Sequence, residues 1–266
     1  MEFLSLFLDS SVGFSSINTT KSAVSLILDN VDSYSIGSHP MVCRFLKGIG
    51  RIRPPRTKYD FIWNPSKVFS FLENLGSLET LSLMQLSVKC ATLLALCTGH
   101  RIQTLSVIKL EEIVDADDKI IIYISERIKT SNPGRIPPSL VLQKFLPRPG
   151  ICPVTTLRFY MHKTESFRPS NCKQLFISCK QPHKPVGRST ISNWIKKCLH
   201  DSGIDMNMFT AYSCRHVSTS VAYKNGNPVD EIRKRASWSN ESATFARFYN
   251  RPIDCSTDFC NAVLSG

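Results

Sequence analysis

The stretch SVKCATLLALCTGH, residues 87–100, is mostly apolar and ends in a glycine turn at Gly99. A helix with no continuous polar face has to be enclosed by other elements, since its whole circumference is better out of water. It is too short to span a bilayer, which takes about 20 apolar residues. No other apolar run in the 266 residues reaches that length. The run therefore predicts a globular domain built round a buried helix, in a chain long enough for one or two domains. The start, MEFLSLFLDSSVGF, has no basic leader and carries Glu2 and Asp9. No secretory signal is expected, and the protein is expected to be soluble and intracellular.

Punctuation along the chain divides it. RIRPPRTKYDFIWNPSK (51–67) is Pro-rich, basic and aperiodic, and reads as a linker. Before it, helical patches are expected at about 16–30 and 39–48. After the 87–100 helix, KIIIYISERIKT (119–130) is β-branched and partly alternating, which predicts a strand pair or a bent strand. SNPGRIPP turns the chain, and SLVLQKF (139–145) returns as another strand. From about residue 152 the pattern is helical: 153–166, 189–203, 213–225, 228–237, 241–249 and 256–264. Pro153 and Pro228 suit first helical turns, and Gly203 and Gly226 suit helix ends. The fold class expected is mainly α with a small antiparallel β-sheet.

Charge narrows the partner. Thirty-three Lys and Arg against 21 Asp and Glu give a net +12, which favours a polyanion, nucleic acid above all. CRFLKGIGRIRPPRTK (43–58) holds six basic residues and no acid: Arg44, Lys47, Arg51, Arg53, Arg56 and Lys58. KQPHKPVGRSTISNWIKK (180–197) holds five more, among them Arg188, Lys196 and Lys197. Both stripes suit a phosphate backbone, with binding that weakens in salt. A basic helical protein bound to an acidic partner is the reading that does not involve DNA. The ten cysteines are scattered without a CxxC pair, the nearest spacings being Cys172/Cys179 and Cys255/Cys260. Neither a zinc site nor a disulfide framework is expected, and Cys90, Cys97 and Cys198 read as small hydrophobes.

Near the end, ATFARFYNRP (243–252) sets Tyr249 among arginines. Phe245, Phe248 and Tyr249 share one helical face, which by itself reads as packing. A tyrosine nucleophile on a phosphodiester would need Arg forks for the charge on the non-bridging oxygens. It would also need a proton donor for the departing alkoxide. Arg101 follows the Gly99 turn, Lys129 ends the 119–130 segment, Arg215 lies on a small, apolar helix, and Trp238 ends a short one. Each has an ordinary structural reading when taken singly.

Their order is more specific. TGHR (98–101), KTSNPG (129–134), YSCR (212–215), ASW (236–238) and FYNR (248–251) resemble the catalytic motifs of the tyrosine recombinase (phage integrase) family. The resemblance runs over roughly residues 62–252 and is nearest to eukaryotic, mobile-element-derived members. It implies a catalytic domain over 61–266, preceded by a short, partial helical core-binding segment and basic linker over 1–60. It further implies a site-specific recombinase or integrase that cleaves and rejoins double-stranded DNA without metal, ATP or other cofactor. Tyr249 would form a 3′-phosphotyrosine, Arg101 and Arg215 would clamp the phosphate, Trp238 would donate to it, and Lys129 would protonate the leaving oxygen. Self-assembly on DNA, from dimer to tetramer, would follow, as would a nuclear location and no membrane association.

Two positions depart from the family's pattern. Tyr212 stands where His is usual, and Thr104 stands where an acid is usual three residues after the first Arg. They keep open a catalytically silent DNA-binding protein of the same fold. His216 adjoins Arg215, but neighbours on a helix point about 100° apart, so it is not expected to replace the missing His. A type IB topoisomerase shares the chemistry, but this chain is short for that class.

Overall fold

The computed structural model describes residues 2–7, 12–54, 57–129, 131, 137–239 and 241–253. The chain divides into two compact units, Met1–Lys58 and Tyr59–Gly266.

The smaller unit contains helices α1 (Glu2–Ser5), α2 (Phe14–Ile27) and α3 (Pro40–Ile52). α3 starts cleanly because Pro40 fits the first turn and the His39 ring accepts from the Met41 N–H at 3.2 Å. Val42, Leu46 and Ile49 form its buried stripe, packed with Leu4 and Ile17. Arg44, Lys47 and Arg51 stand exposed. Arg53 corrects an expectation. Its guanidinium donates to the carbonyls of Phe7 and Val12 at 3.0 and 2.9 Å, so it fastens the start of this unit instead of projecting as a free basic group.

The larger unit is built round α5 (Leu83–Thr98), twelve of whose residues are buried. Ser82 and Gln85 close its first turn as a reciprocal cap. Gly99 ends it in the left-handed region at φ +63, where a side chain would also crowd Ser218. α7 (Pro153–Glu165), α8 (Arg188–Asp201) and α9 (Ser213–Lys224) pack against α5. α4 (Pro65–Glu73) precedes it, α6 (Ile102–Ser106) follows it, and α10 (Val229–Arg235) comes after α9.

The sheet is antiparallel, in the order β1 (Ile113–Ala116), β2 (Lys119–Tyr123), β3 (Ser139–Gln143). β2 pairs Ile121 with Val141, while Ile120, Ile122, Leu140 and Leu142 face the core. The expected strand over 119–130 is thus only five residues long. Its hairpin partner β1, joined through Asp117 and Asp118, was not foreseen because the four-residue strand has too few residues to show a period. α4 also escaped prediction, since its start lies inside the Pro-rich stretch read as linker, where Asn64 caps Pro65. Pro153 opens α7, whereas Pro228 sits one residue before α10. The helix expected over 241–249 shrinks to one π-helical turn, Phe245–Tyr249. The helix expected over 256–264 lies outside the described residues, as do Cys255 and Cys260.

Candidate active site

Four chain reversals converge in the larger unit. The Gly99 turn sets down His100 and then Arg101, which precedes α6. Tyr212 leads into α9, whose first turn carries Arg215 and His216. Ser237, at φ +53, turns the chain out of α10 so that Trp238 can follow. The π-helical turn ends on Tyr249, an arrangement often seen at functional sites.

Arg215 is the centre. It is 2% exposed, and its two terminal nitrogens donate to the Gly99 carbonyl at 2.8 Å and the Ala236 carbonyl at 2.6 Å. Both acceptors terminate helices, whose negative dipole ends favour a cation. Its guanidinium carbon lies 4.7 Å from the Trp238 ring centre and 5.6 Å from that of Tyr249. Its Nε has no protein partner, and neither Arg101 nor Arg215 forms an ion pair with a carboxylate among the described residues. Burial, and then the positive charge of Arg101, pull Arg215 down from 12.5 to about 10. Burial and the same two guanidinium groups push His100 down to about 3, so it is neutral across the physiological range.

Tyr249 is enclosed on several sides. Its hydroxyl hydrogen-bonds that of Tyr212, and its carbonyl accepts from the Ser220 hydroxyl. Its ring lies 4.7 Å from that of Trp238 and stacks on His216 at 4.1 Å and 14°. Burial, and then the Tyr212 hydrogen bond, push its phenol up from 10 to about 12, with Arg215 opposing the rise. The helical-face reading of Tyr249 also has substance, since Phe245 is buried and Phe248 half-buried in the same cluster.

Of the residues singled out in the sequence, Arg101, Tyr212, Arg215, Trp238 and Tyr249 are thus gathered in one place. Lys129 is not. It is exposed, six residues beyond the end of β2, with no described contact to the cluster. Thr104 is buried on α6 and supplies no charge. Arg188, Lys196 and Lys197 are exposed on α8, with Lys197 paired to Asp201 at 2.9 Å. Lys58 is exposed, and Arg56 lies outside the described residues. His216, expected to point away from Arg215, lies flat on the Tyr249 ring. The angle between neighbours was sound, but it carries no information about where the Tyr249 ring lands. Cys90 and Cys198 are buried as expected, whereas Cys97 is exposed. Among the described residues no three His, Cys, Asp or Glu gather as a metal site, and no helix is long and apolar enough to cross a membrane.

Residues 72–254 match the model of the phage integrase family. In fold, the chain is similar to XerH site-specific recombinase bound to palindromic difH in a post-cleavage complex. That match has a TM-score of 0.65 at 12% identity, over 100% of this chain and 71% of that one. It is also similar to the Tn1549 transposon integrase in complex with transposon right end DNA, with a TM-score of 0.63 at 14% identity over 99% and 82%. A lambda integrase dimer bound to a COC′ core site matches with a TM-score of 0.54 at 15% identity, over 93% and 62%. At these identities the likeness is one of fold. Compared by sequence with curated proteins, the chain has no match.

Proposed function

The chain belongs to the phage integrase family and has a tyrosine recombinase fold, and we propose that it cleaves and rejoins DNA strands through a 3′-phosphotyrosine on Tyr249. The observation that carries this is Arg215. A buried cation is normally paired, and this one has a second guanidinium nearby, an unpartnered Nε and a phenol beside it, but no carboxylate among the described residues. Such a vacancy of negative charge fits a phosphate.

In the proposed reaction the scissile phosphate sits between Arg215 and Arg101, which hold its non-bridging oxygens, with the Trp238 indole N–H as a further donor. The Tyr249 oxygen bonds to phosphorus as the bond to the 5′-oxygen breaks. The phenolic proton passes along the hydrogen bond to the Tyr212 hydroxyl, whose own proton leaves to water. Lys129 gives a proton to the departing 5′-oxygen. The phosphotyrosine keeps the energy of the broken bond, so rejoining requires no ATP, and the groups named require no metal.

Residues 61–266 form the catalytic domain in this reading, and residues 1–60 a partial core-binding segment. Arg44, Lys47 and Arg51 on α3, and Arg188 and Lys196 on α8, would meet the phosphate backbone. The fold relatives solved with transposon end DNA and, as a dimer, with a core site support DNA as partner and a dimer on it; in this reading the DNA is double-stranded and the assembly extends to a tetramer. A mobile-element origin and a nuclear site of action accord with such a substrate. The test is a nicked duplex, labelled upstream of the scissile phosphate, drawn from sites that the protein selects out of random sequence. Wild type should form a denaturant-stable labelled adduct and Tyr249→Phe none. Selected sites that are bound but never cleaved by wild type would sink the proposal.

A further inference from the structure

The segment that leads into the larger unit, residues 59–63, is fastened on both sides of Tyr249. The Ile62 N–H donates to the Pro252 carbonyl at 2.8 Å, and Ile62 and Ile253 form a parallel bridge. The Trp63 indole donates to the Ser213 hydroxyl at 2.8 Å, at the start of the helix that bears Arg215. The Tyr59 hydroxyl bonds that of Thr210 at 3.0 Å. The Tyr59 ring meets His216 edge-on, with centroids 4.9 Å apart at 88°, and His216 lies flat on Tyr249. All five side chains, Tyr59, Ile62, Trp63, His216 and Tyr249, are buried.

A single π-helical turn is a weak platform for a group that must be aligned closely with phosphorus. Among the described residues, Trp238, Arg215 and Tyr212 also meet the Tyr249 ring or hydroxyl, and in the proposed reaction they engage the phosphate or relay the proton. His216 meets Tyr249 through a flat ring stack, and a contact on the ring face can persist while the phenol oxygen reacts. We infer that His216 is a positioning residue for Tyr249, braced from behind by Tyr59 and by the pairing of Ile62 with Pro252 and Ile253. This rests on Tyr249 being the nucleophile.

The experiment compares wild type, His216→Leu, His216→Phe and Tyr59→Leu in single-turnover adduct formation, together with their DNA dissociation constants. His216→Leu keeps the bulk and loses the flat face, and its rate should fall on the order of tenfold to a hundredfold with unchanged DNA affinity. His216→Phe restores a flat ring and should recover most of that loss, and Tyr59→Leu should show a smaller fall. A wild-type rate in His216→Leu, or a His216→Phe as slow as His216→Leu, would overturn the positioning role. Ring resonances of Tyr249, assigned by their loss in Tyr249→Phe, supply a readout without DNA. They should move in His216→Leu and in Tyr59→Leu, and resonances unmoved in either would refute the brace. If wild type forms no adduct, it is the nucleophile reading that falls, and the resonances still decide whether the stack holds the ring.

Discussion

Replacing Arg215 by Met removes a buried charge that no carboxylate among the described residues pairs, and the structure sets the size of the consequence. Burial and Arg101 hold the guanidinium at about 10 instead of 12.5. At ~1.4 kcal/mol per unit, that depression corresponds to roughly 3 kcal/mol of unrelieved charge. An anion that recovered all of it would bind with a dissociation constant of about 6 mM. At about 100 mM sulfate it would then stabilise the fold by about 2 kcal/mol. For a unit of this size, that is a rise in Tm of about 5 °C. The assay is thermal unfolding in sulfate against chloride at matched ionic strength. Sulfate stabilises most proteins by exclusion from their surface, so the quantity that matters is the difference between wild type and Arg215→Met. Wild type should gain the extra few degrees and the variant should not. Equal gains would mean that the buried guanidinium is no anion site, and the reasoning from unpaired charge would fail.

Other outcomes follow from single residues. His100 has a folded pKa of about 3 against 6.5, so the folded chain holds fewer protons than the unfolded one. Its contribution is therefore complete above pH 6.5 and is lost as pH falls toward 3, by up to roughly 4–5 kcal/mol. Denaturant melts from pH 7 to 4 should show this fall, and His100→Gln should flatten it. Arg53→Ala deletes two charged donors to Phe7 and Val12 and should destabilise the smaller unit by about 2–4 kcal/mol. Hydrogen exchange in α2 and α3 reads this directly. Tyr212→Phe removes the hydrogen bond that helps hold the Tyr249 phenol near 12. Ultraviolet titration should place Tyr249 lower than in wild type but still above 10, because burial remains, while adduct formation slows with the proton route gone.

The helical body was legible where a period or a boundary residue was long enough to be seen. The apolar run of α5, Gly99 at its end and Pro153 at the head of α7 all carry their own physical reason. β1 has four residues and α4 hides in a Pro-rich segment, so neither offered a pattern, and tertiary pairing alone defines them. The five clustered side chains were suggested by their order in the chain and not by any local signal. What no sequence period can give is which faces meet across distant elements. The His216 stack on Tyr249, the Tyr59 edge on His216 and the Ile62 pairing beside Pro252 join residues from 33 to 190 positions apart. That no described carboxylate pairs with Arg215 became visible only once the elements around it were placed.

Two phenols share one hydrogen bond in the site, so the most direct test of the account is to find which of them takes the phosphate. Adduct trapped on a nicked substrate would be trimmed with nuclease and protease and its peptides sequenced by mass spectrometry. A nucleotide 3′-phosphate is expected on Tyr249 in the ARFYNR segment, with a free 5′-hydroxyl on the other strand end. Phosphate on Tyr212, or cleavage that leaves no phosphotyrosine at all, would contradict it.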